Sequence, residues 1–229
     1  MHYVLWLPNN GWNNGIKVEG EYLRQSEDLV YWLGDALYLN ITNRCSNNCY
    51  FCFKHYWSGI AGFKLKLSSE PSVKQIIENL EKHISRRKWK EAVFCGFGEP
   101  TARLDCLLDV AKWISEHFPS LRIRLDTNGH AFLLNPGRNV IMELKDSGVK
   151  AVSVSINGHD EETYNRVCRP FFPDAYRSAI EFVKSAREAS LDVEITAVSI
   201  PEIDIDKIRD LASMLKVKFR AREYIPCFY

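Results

Sequence analysis

From residue 36 onward, short runs of alternating apolar and polar residues repeatedly give way to stretches in which apolar residues recur every three or four positions. The alternating runs predict strands at Ala36–Thr42, Ala92–Cys95, Arg122–Asp126, Ala151–Asn157, Asp192–Val198 and Val217–Glu223. The helical period appears in Val73, Ile77, Leu80 and Ile84; in Leu107, Ala111, Ile114 and Phe118; in Val140, Ile141 and Leu144; in Tyr176, Ile180, Val183 and Ala186; and in Ile208, Leu211, Ala212 and Leu215. Ser72 with Gln75 predicts a capping box, and Gly148 a helix stop. Six strands separated by five helices imply a parallel sheet with right-handed crossovers. Six units are too few for a closed eight-stranded barrel, so a partial barrel or an open doubly wound sheet is expected.

Five of the strands carry one apolar and one polar face. Leu37, Leu39 and Ile41 oppose Tyr38, Asn40 and Thr42; Ile123 and Leu125 oppose Arg122, Arg124 and Asp126; Val152, Val154 and Ile156 oppose Ser153, Ser155 and Asn157. Val193, Ile195 and Ala197 oppose Glu194, Thr196 and Val198, and Val217, Phe219 and Ala221 oppose Lys218, Arg220 and Arg222. A parallel sheet covered by helices on both sides is ordinarily apolar on both. The polar faces therefore predict a wet or charged lumen, suited to a polar cofactor and substrate. Its basic residues outnumber its acidic ones, which suggests a substrate with an acidic group. Pairing of Arg124 with Asp126, or of an Arg with Glu194, is the alternative.

Residues 1–35 break the pattern and carry the turn formers Asn9-Asn10-Gly11 and Asn13-Asn14-Gly15. They read as an N-terminal extension, with a candidate hairpin, ahead of a core domain over residues 36–229. At 229 residues the chain suits one sizeable core, and a formal net charge of +1 provides no basic footprint for nucleic acid. No apolar run approaches a membrane span, and the opening Met1–Leu7 stretch is too short for a signal peptide, so a cytoplasmic location is expected.

Seven cysteines, an odd number, speak against a disulfide framework. Three of them, Cys45, Cys49 and Cys52, crowd into eight residues directly after the first strand, at the edge where active sites of parallel α/β folds lie. A cubane cluster is usually held by four thiolates, so three leave one iron open to an exogenous chelate. The competing reading adds His55 to make a tetrahedral Cys3His zinc site. A redox dithiol needs only two cysteines.

The spacing Cys45-x3-Cys49-x-Phe51-Cys52 resembles the signature of the radical S-adenosylmethionine (SAM) superfamily. A second motif, Gly96-Phe97-Gly98-Glu99-Pro100, is similar to that family's GGEP motif, with Phe97 between the glycines. Thr127-Asn128-Gly129, Ser155 and Asn157, Val198, and the run Arg220–Pro226 with Tyr224 resemble weaker family motifs. Segments 37–53 and 94–100 are similar to the TatD-associated radical SAM subgroup. The resemblance implies a partial (β/α)6 parallel barrel. Cys45, Cys49 and Cys52 would bind a 4Fe-4S cluster. Phe51, Gly96, Phe97, Gly98, Glu99, Pro100, Thr127, Asn128, Ser155, Asn157, Val198 and Tyr224 would surround SAM, with Glu99 or nearby carbonyls accepting from its ammonium group. An electron from a flavodoxin- or ferredoxin-like donor would then cleave SAM to a 5′-deoxyadenosyl radical that abstracts hydrogen from a substrate the sequence does not define.

Cys95 and Cys106 read as buried, apolar-type residues. Cys168 and Cys227 fall after the fourth and sixth strands, where one of them, with Cys227 as the candidate, could form a covalent adduct or donate a hydrogen atom, and a spare thiol is the plainer reading. Arg166 and Arg169, on a predicted loop, join Arg124 and Arg220 as candidate substrate anchors. The rivals are a zinc-knuckle interaction protein, an iron–sulfur electron carrier, and an activase generating a glycyl radical on a partner protein.

Overall fold

The computed structural model describes residues 27–224. In chain order its strands are β1 (Val30–Leu33), β2 (Ala36–Leu39), β3 (Gly59–Ile60), β4 (Phe63–Lys64), β5 (Glu91–Phe94), β6 (Arg122–Thr127), β7 (Val149–Ser155), β8 (Asp192–Ser199) and β9 (Lys218–Glu223). The helices are α1 (Val73–Ile84), α2 (Leu104–His117), α3 (Ala131–Leu134), α4 (Val140–Asp146), α5 (Glu161–Cys168), α6 (Ala175–Glu188) and α7 (Ile205–Met214). One seven-stranded sheet runs β1-β2-β5-β6-β7-β8-β9. The six strands from β2 to β9 are parallel neighbours in chain order. Every crossover therefore adds a strand at the same edge, and the sheet curls into the expected partial (β/α)6 barrel.

On four strands the predicted apolar face is the buried one, while Val198, placed on a polar face, also enters the core and Ala221, placed on an apolar face, is exposed. Leu37, Leu39, Ile123, Leu125, Val152, Val154, Val193 and Ile195 all enter the main core, beneath helix residues such as Leu107, Ile114, Leu144, Phe182 and Ile208. Full burial of each such side chain stabilises the fold by about 1.5–3 kcal/mol. The capping box at Ser72 and Gln75 is present. Gly148 stops α4 with a positive φ of 98° that L-residues resist. On α1 it is Ile76, not Ile77, that is buried with Leu80 and Ile84.

Three local features depart from the sequence reading. Val30–Leu33, placed in the N-terminal extension, pairs antiparallel with β2 and so belongs to the barrel sheet. The candidate hairpin around Asn9–Gly15 lies outside the described residues. The segment holding Arg166 and Cys168, expected as loop, is helix α5, which Asp160 caps by accepting from the Thr163 amide. A two-stranded ribbon, β3 with β4, also carries a second small core of Tyr31, Phe63, Leu65 and Phe97. No helix among the described residues is long and apolar enough to cross a membrane.

Candidate active site

The three clustered cysteines leave the sheet at the C-terminal edge of β2, and the base of their loop is built from the polar face of that strand. Asn40 is fully buried, donating through Nδ2 to the Leu65 carbonyl at 2.7 Å and accepting the Phe97 amide at 2.9 Å. Thr42 donates to Glu70 at 2.6 Å, and Asn43 exchanges two hydrogen bonds with the backbone of Leu67. Asn40 and Thr42, expected to line a lumen, thus join Asn43 in fastening the loop to the segment that follows β4.

The Gly96–Pro100 turn, at the end of β5, clamps the same loop. A Cβ on Gly96 would come within 2.2 Å of the Asn40 side chain, and one on Gly98 within 2.4 Å of the Arg44 carbonyl. Both glycines are thus required by the approach of two protein segments. Phe97 packs edge-on against Phe53 at 5.6 Å.

Glu99 was expected to offer its carboxylate to an ammonium group, yet it is 3% exposed and its oxygens are engaged within the protein. Thr101 donates its amide at 3.1 Å and its hydroxyl at 2.7 Å, the Thr127 hydroxyl donates at 2.7 Å, and the Asn128 amide donates at 2.7 Å. Burial pushes the Glu99 carboxyl up against the pull of these donors.

From Asn128 a buried chain of polar contacts passes beneath the cysteines. Its Nδ2 donates to Ser46 Oγ at 2.9 Å and lies 3.9 Å from Cys45 Sγ. Ser46 Oγ meets His130 Nδ1 at 2.9 Å, His130 Nε2 meets the Tyr164 hydroxyl at 2.7 Å, and Asn47 donates to that hydroxyl at 3.2 Å. Ser46, Asn47, His130 and Tyr164 escaped the sequence reading; the one signal was that His130 directly follows Thr127-Asn128-Gly129. Asn157 Oδ1 accepts the Val198 amide at 2.9 Å, which ties β7 to β8.

Burial pushes His130 down to about 4, so the ring is neutral near pH 7. Since the folded value lies below the ordinary 6.5, the stability contributed by the neutral ring is fully present above about pH 6.5 and is lost as pH falls toward 4. The change corresponds to about 3 kcal/mol. Urea melts should show the wild type weakening across this window and His130→Gln weakening less. Equal losses in the two proteins would refute the assignment.

The thiols respond to their surroundings in different ways. A hydrogen bond from the Cys168 thiol, ahead of the Lys54 charge, pulls Cys49 below the usual thiol range. Burial pushes Cys45 up to about 12 and raises Cys52 less. Cys168 is therefore a buried neighbour of Cys49 rather than a spare loop thiol. The backbone around it holds the loop, since its carbonyl accepts the Asn48 amide at 3.0 Å. His55 turns Nε2 to the Cys49 carbonyl at 3.0 Å. Among the described residues, no three His, Cys, Asp or Glu side chains converge as a single ion requires. A tetrahedral zinc would need donors about 2.3 Å from one point, whereas a cubane takes each thiolate on a separate iron. With its Nε2 on the Cys49 carbonyl, His55 is not turned to the thiols as a fourth donor, and three thiols without it suit a cubane better than a Cys3His zinc.

Below the loop the lumen is charged, as expected, and largely self-paired. Arg124 lies 3.2 Å from both Glu91 and Asp126, Asp192 pairs with Arg122 and, at 2.7 Å, with Lys218, and Arg220 lies 2.8 Å from Glu194. Arg124 and Arg220, read as substrate anchors, are thus already committed. Arg166 and Arg169 are exposed, and Arg169 sits over the Tyr50 ring at 5.8 Å. A cavity of about 390 Å³ opens among the first residues of the strands, including Glu91, Arg122 and Lys218. Cys95, read as an apolar-type residue, faces the polar side, where burial pushes it up to about 12 beside Asp126, Arg222 and Arg124. Cys106 is buried in the core as expected. Cys227 lies outside the described residues.

The family model described as the radical SAM superfamily matches residues 39–215. The chain is 27% identical over 184 residues to a probable GTP 3′,8-cyclase of Thermoplasma volcanium, a match covering 80% of this chain and 51% of the cyclase. It is 26% identical over 206 residues to the FeMo cofactor biosynthesis protein NifB of Methanocaldococcus jannaschii, covering 83% of this chain and 66% of that protein. The chain therefore spans about half of the first relative and about two thirds of the second. Among solved structures it resembles TYW1 with a lysine-pyruvate adduct bound (TM-score 0.58, 15% identity, 84% of this chain and 65% of that one). It also resembles Streptococcus suis SuiB bound to the precursor peptide SuiA (TM-score 0.60, 16% identity, 83% and 39%). At these identities the structural likeness concerns the fold.

Proposed function

This chain belongs to the radical SAM superfamily, whose members are enzymes that use a 4Fe-4S cluster and S-adenosylmethionine, and on that premise we propose that Cys45, Cys49 and Cys52 hold the cluster of a SAM-cleaving enzyme. The observation that carries the reading is three thiols on one loop at the C-terminal edge of a parallel half-barrel, clamped by the Gly96–Pro100 turn. When bound, the cluster and SAM supply reductive cleavage of the sulfonium to methionine and a 5′-deoxyadenosyl radical.

The chain's own residues orient and enclose. Asn128 directs an amide N–H toward Cys45, and Lys54 and Arg222 bring positive charge toward the thiols, all favouring the thiolate forms a cluster requires. The carbonyls of Gly96, Phe97 and Gly98, rather than the Glu99 carboxylate, are proposed as acceptors for the ammonium group of SAM. Glu99, Thr127 and Asn157 shape the site through bonds inside the protein. Phe51, Ser155, Val198 and Tyr224 are proposed to line the remainder. Membership in the TatD-associated subgroup is proposed on the motifs at residues 37–53 and 94–100, and hydrogen abstraction from a substrate in the lumen, a flavodoxin- or ferredoxin-like electron donor and a cytoplasmic location complete the reading.

The test is anaerobic reconstitution with iron and sulfide, then dithionite and SAM. About four irons per chain and formation of 5′-deoxyadenosine are expected. Stoichiometric zinc, or a loaded cluster without 5′-deoxyadenosine, would overturn the proposal.

A further inference from the structure

Arg124 and Arg222 of the lumen each have a buried Nε without a hydrogen-bond partner, but Arg124 is held in two ion pairs and Arg222 in none among the described residues. Arg222 projects from the C-terminal half of β9 toward the cysteine loop, and its charge acts on Cys49, Cys52 and Cys95. Among the described residues its side chain makes one hydrogen bond, from Nη2 to Ser155 Oγ at 3.2 Å. Its Nε is buried and has no partner among the described residues. The lumen carboxylates Glu91, Asp126, Asp192 and Glu194 are each paired with another cation, and no ion pair among the described residues includes Arg222. Asp126 attracts it only at longer range, and one oxygen of that carboxylate also lacks a hydrogen-bond partner.

A buried N–H without an acceptor is costly, more so on a charged group, and such a donor calls for an explanation. The Nε and Nη2 edge of a guanidinium matches two oxygens of a carboxylate or phosphate. We propose that Arg222 anchors an anionic group, carboxylate or phosphate, of the substrate that enters the lumen beneath the cysteine loop. The word substrate rests on the radical reading above; the anion site rests on the orphaned guanidinium edge alone. The methionyl carboxylate of SAM offers the same chemistry. The family resemblance puts the ammonium group of the same methionyl moiety at the Gly96–Pro100 turn after β5, whereas Arg222 projects from β9 beside Ser155 of β7, which favours the substrate as the source.

The test uses the full chain labelled with 15N-arginine, with acetate and inorganic phosphate as probes. The Arg222 Nε–Hε signal is assigned by its loss in Arg222→Lys or, should that variant fold poorly, Arg222→Gln. A saturable shift of this signal that persists when SAM is present supports the proposal. In the variant, acetate affinity read from neighbouring lumen arginines should fall at least about tenfold. Absence of a saturable shift refutes it. So does a response to acetate that SAM abolishes and 5′-methylthioadenosine, which lacks the carboxylate, does not. Formation of 5′-deoxyadenosine by the reconstituted wild type judges the radical reading separately, because the acetate and phosphate titrations of the apoprotein need no cluster, whereas the SAM arm is run on the reconstituted protein.

Discussion

Replacing Cys49 by alanine is expected to leave the barrel folded and to remove both bound iron and 5′-deoxyadenosine formation. Cys49 sits in the middle of the three-thiol loop, so its loss leaves two thiols where a cubane needs at least the three present. Its side chain is only partly buried, and the surrounding loop is held by backbone bonds such as Asn48 to Cys168, which alanine preserves. The fall in activity should far exceed the roughly 10–100-fold associated with residues that merely support a metal ligand. Iron and sulfide analysis after anaerobic reconstitution, with thermal melts of the apoprotein, checks both halves. Cys106→Ala, in the core away from the loop, should keep its iron. Unchanged iron content in Cys49→Ala would remove the three-thiol assignment.

Glu99→Ala should cost roughly 3–5 kcal/mol of stability, because it strands four buried donors at once. The loss should spread beyond the fold. Thr127 and Asn128 are held by this carboxylate, and Asn128 in turn positions Ser46 and approaches Cys45. Glu99→Gln keeps the shape but presents N–H groups to N–H and O–H donors, so it should be destabilised less than the alanine variant and still bind its cluster less firmly than wild type. Urea denaturation together with iron retention on dilution measures the two effects. A Glu99→Gln protein as stable as wild type, with equal iron retention, would mean that the donors around Glu99 find other acceptors and that the residue does not organise the site.

The two variants separate what holds a cofactor from what holds the holder. Cysteine spacing supplies the donor set. Glu99, Asn40 and the His130–Tyr164 contact fasten the segments around the cysteine loop, through groups that are almost entirely removed from water. In such surroundings each bond matters because the alternative is an unsatisfied buried group.

Much of the architecture was legible beforehand. Strand and helix periodicity arise from side-chain alternation along a single segment, so the six parallel strands, their apolar faces, the capping box at Ser72 and the stop at Gly148 could be read locally. The short, polar helix α5 could not, because eight residues with few apolar positions give little period to detect. The cysteine spacing and the Gly96–Pro100 motif identified the candidate site for the same local reason. What each polar residue does there was decided only by tertiary structure. Ser46 meets Asn128 across 82 residues of chain, and Asn47 meets Tyr164 across 117. Whether a lumen arginine is paired, as Arg124 is, or left with an open edge, as Arg222 is, depends on neighbours from other strands. Sequence alone thus determined the barrel, its two faces and the three-thiol loop. The three-dimensional fold alone turned Glu99 inward and left the Arg222 Nε without an acceptor among the described residues, since hydrogen bonds and ion pairs form between groups brought together in space, whatever their distance along the chain.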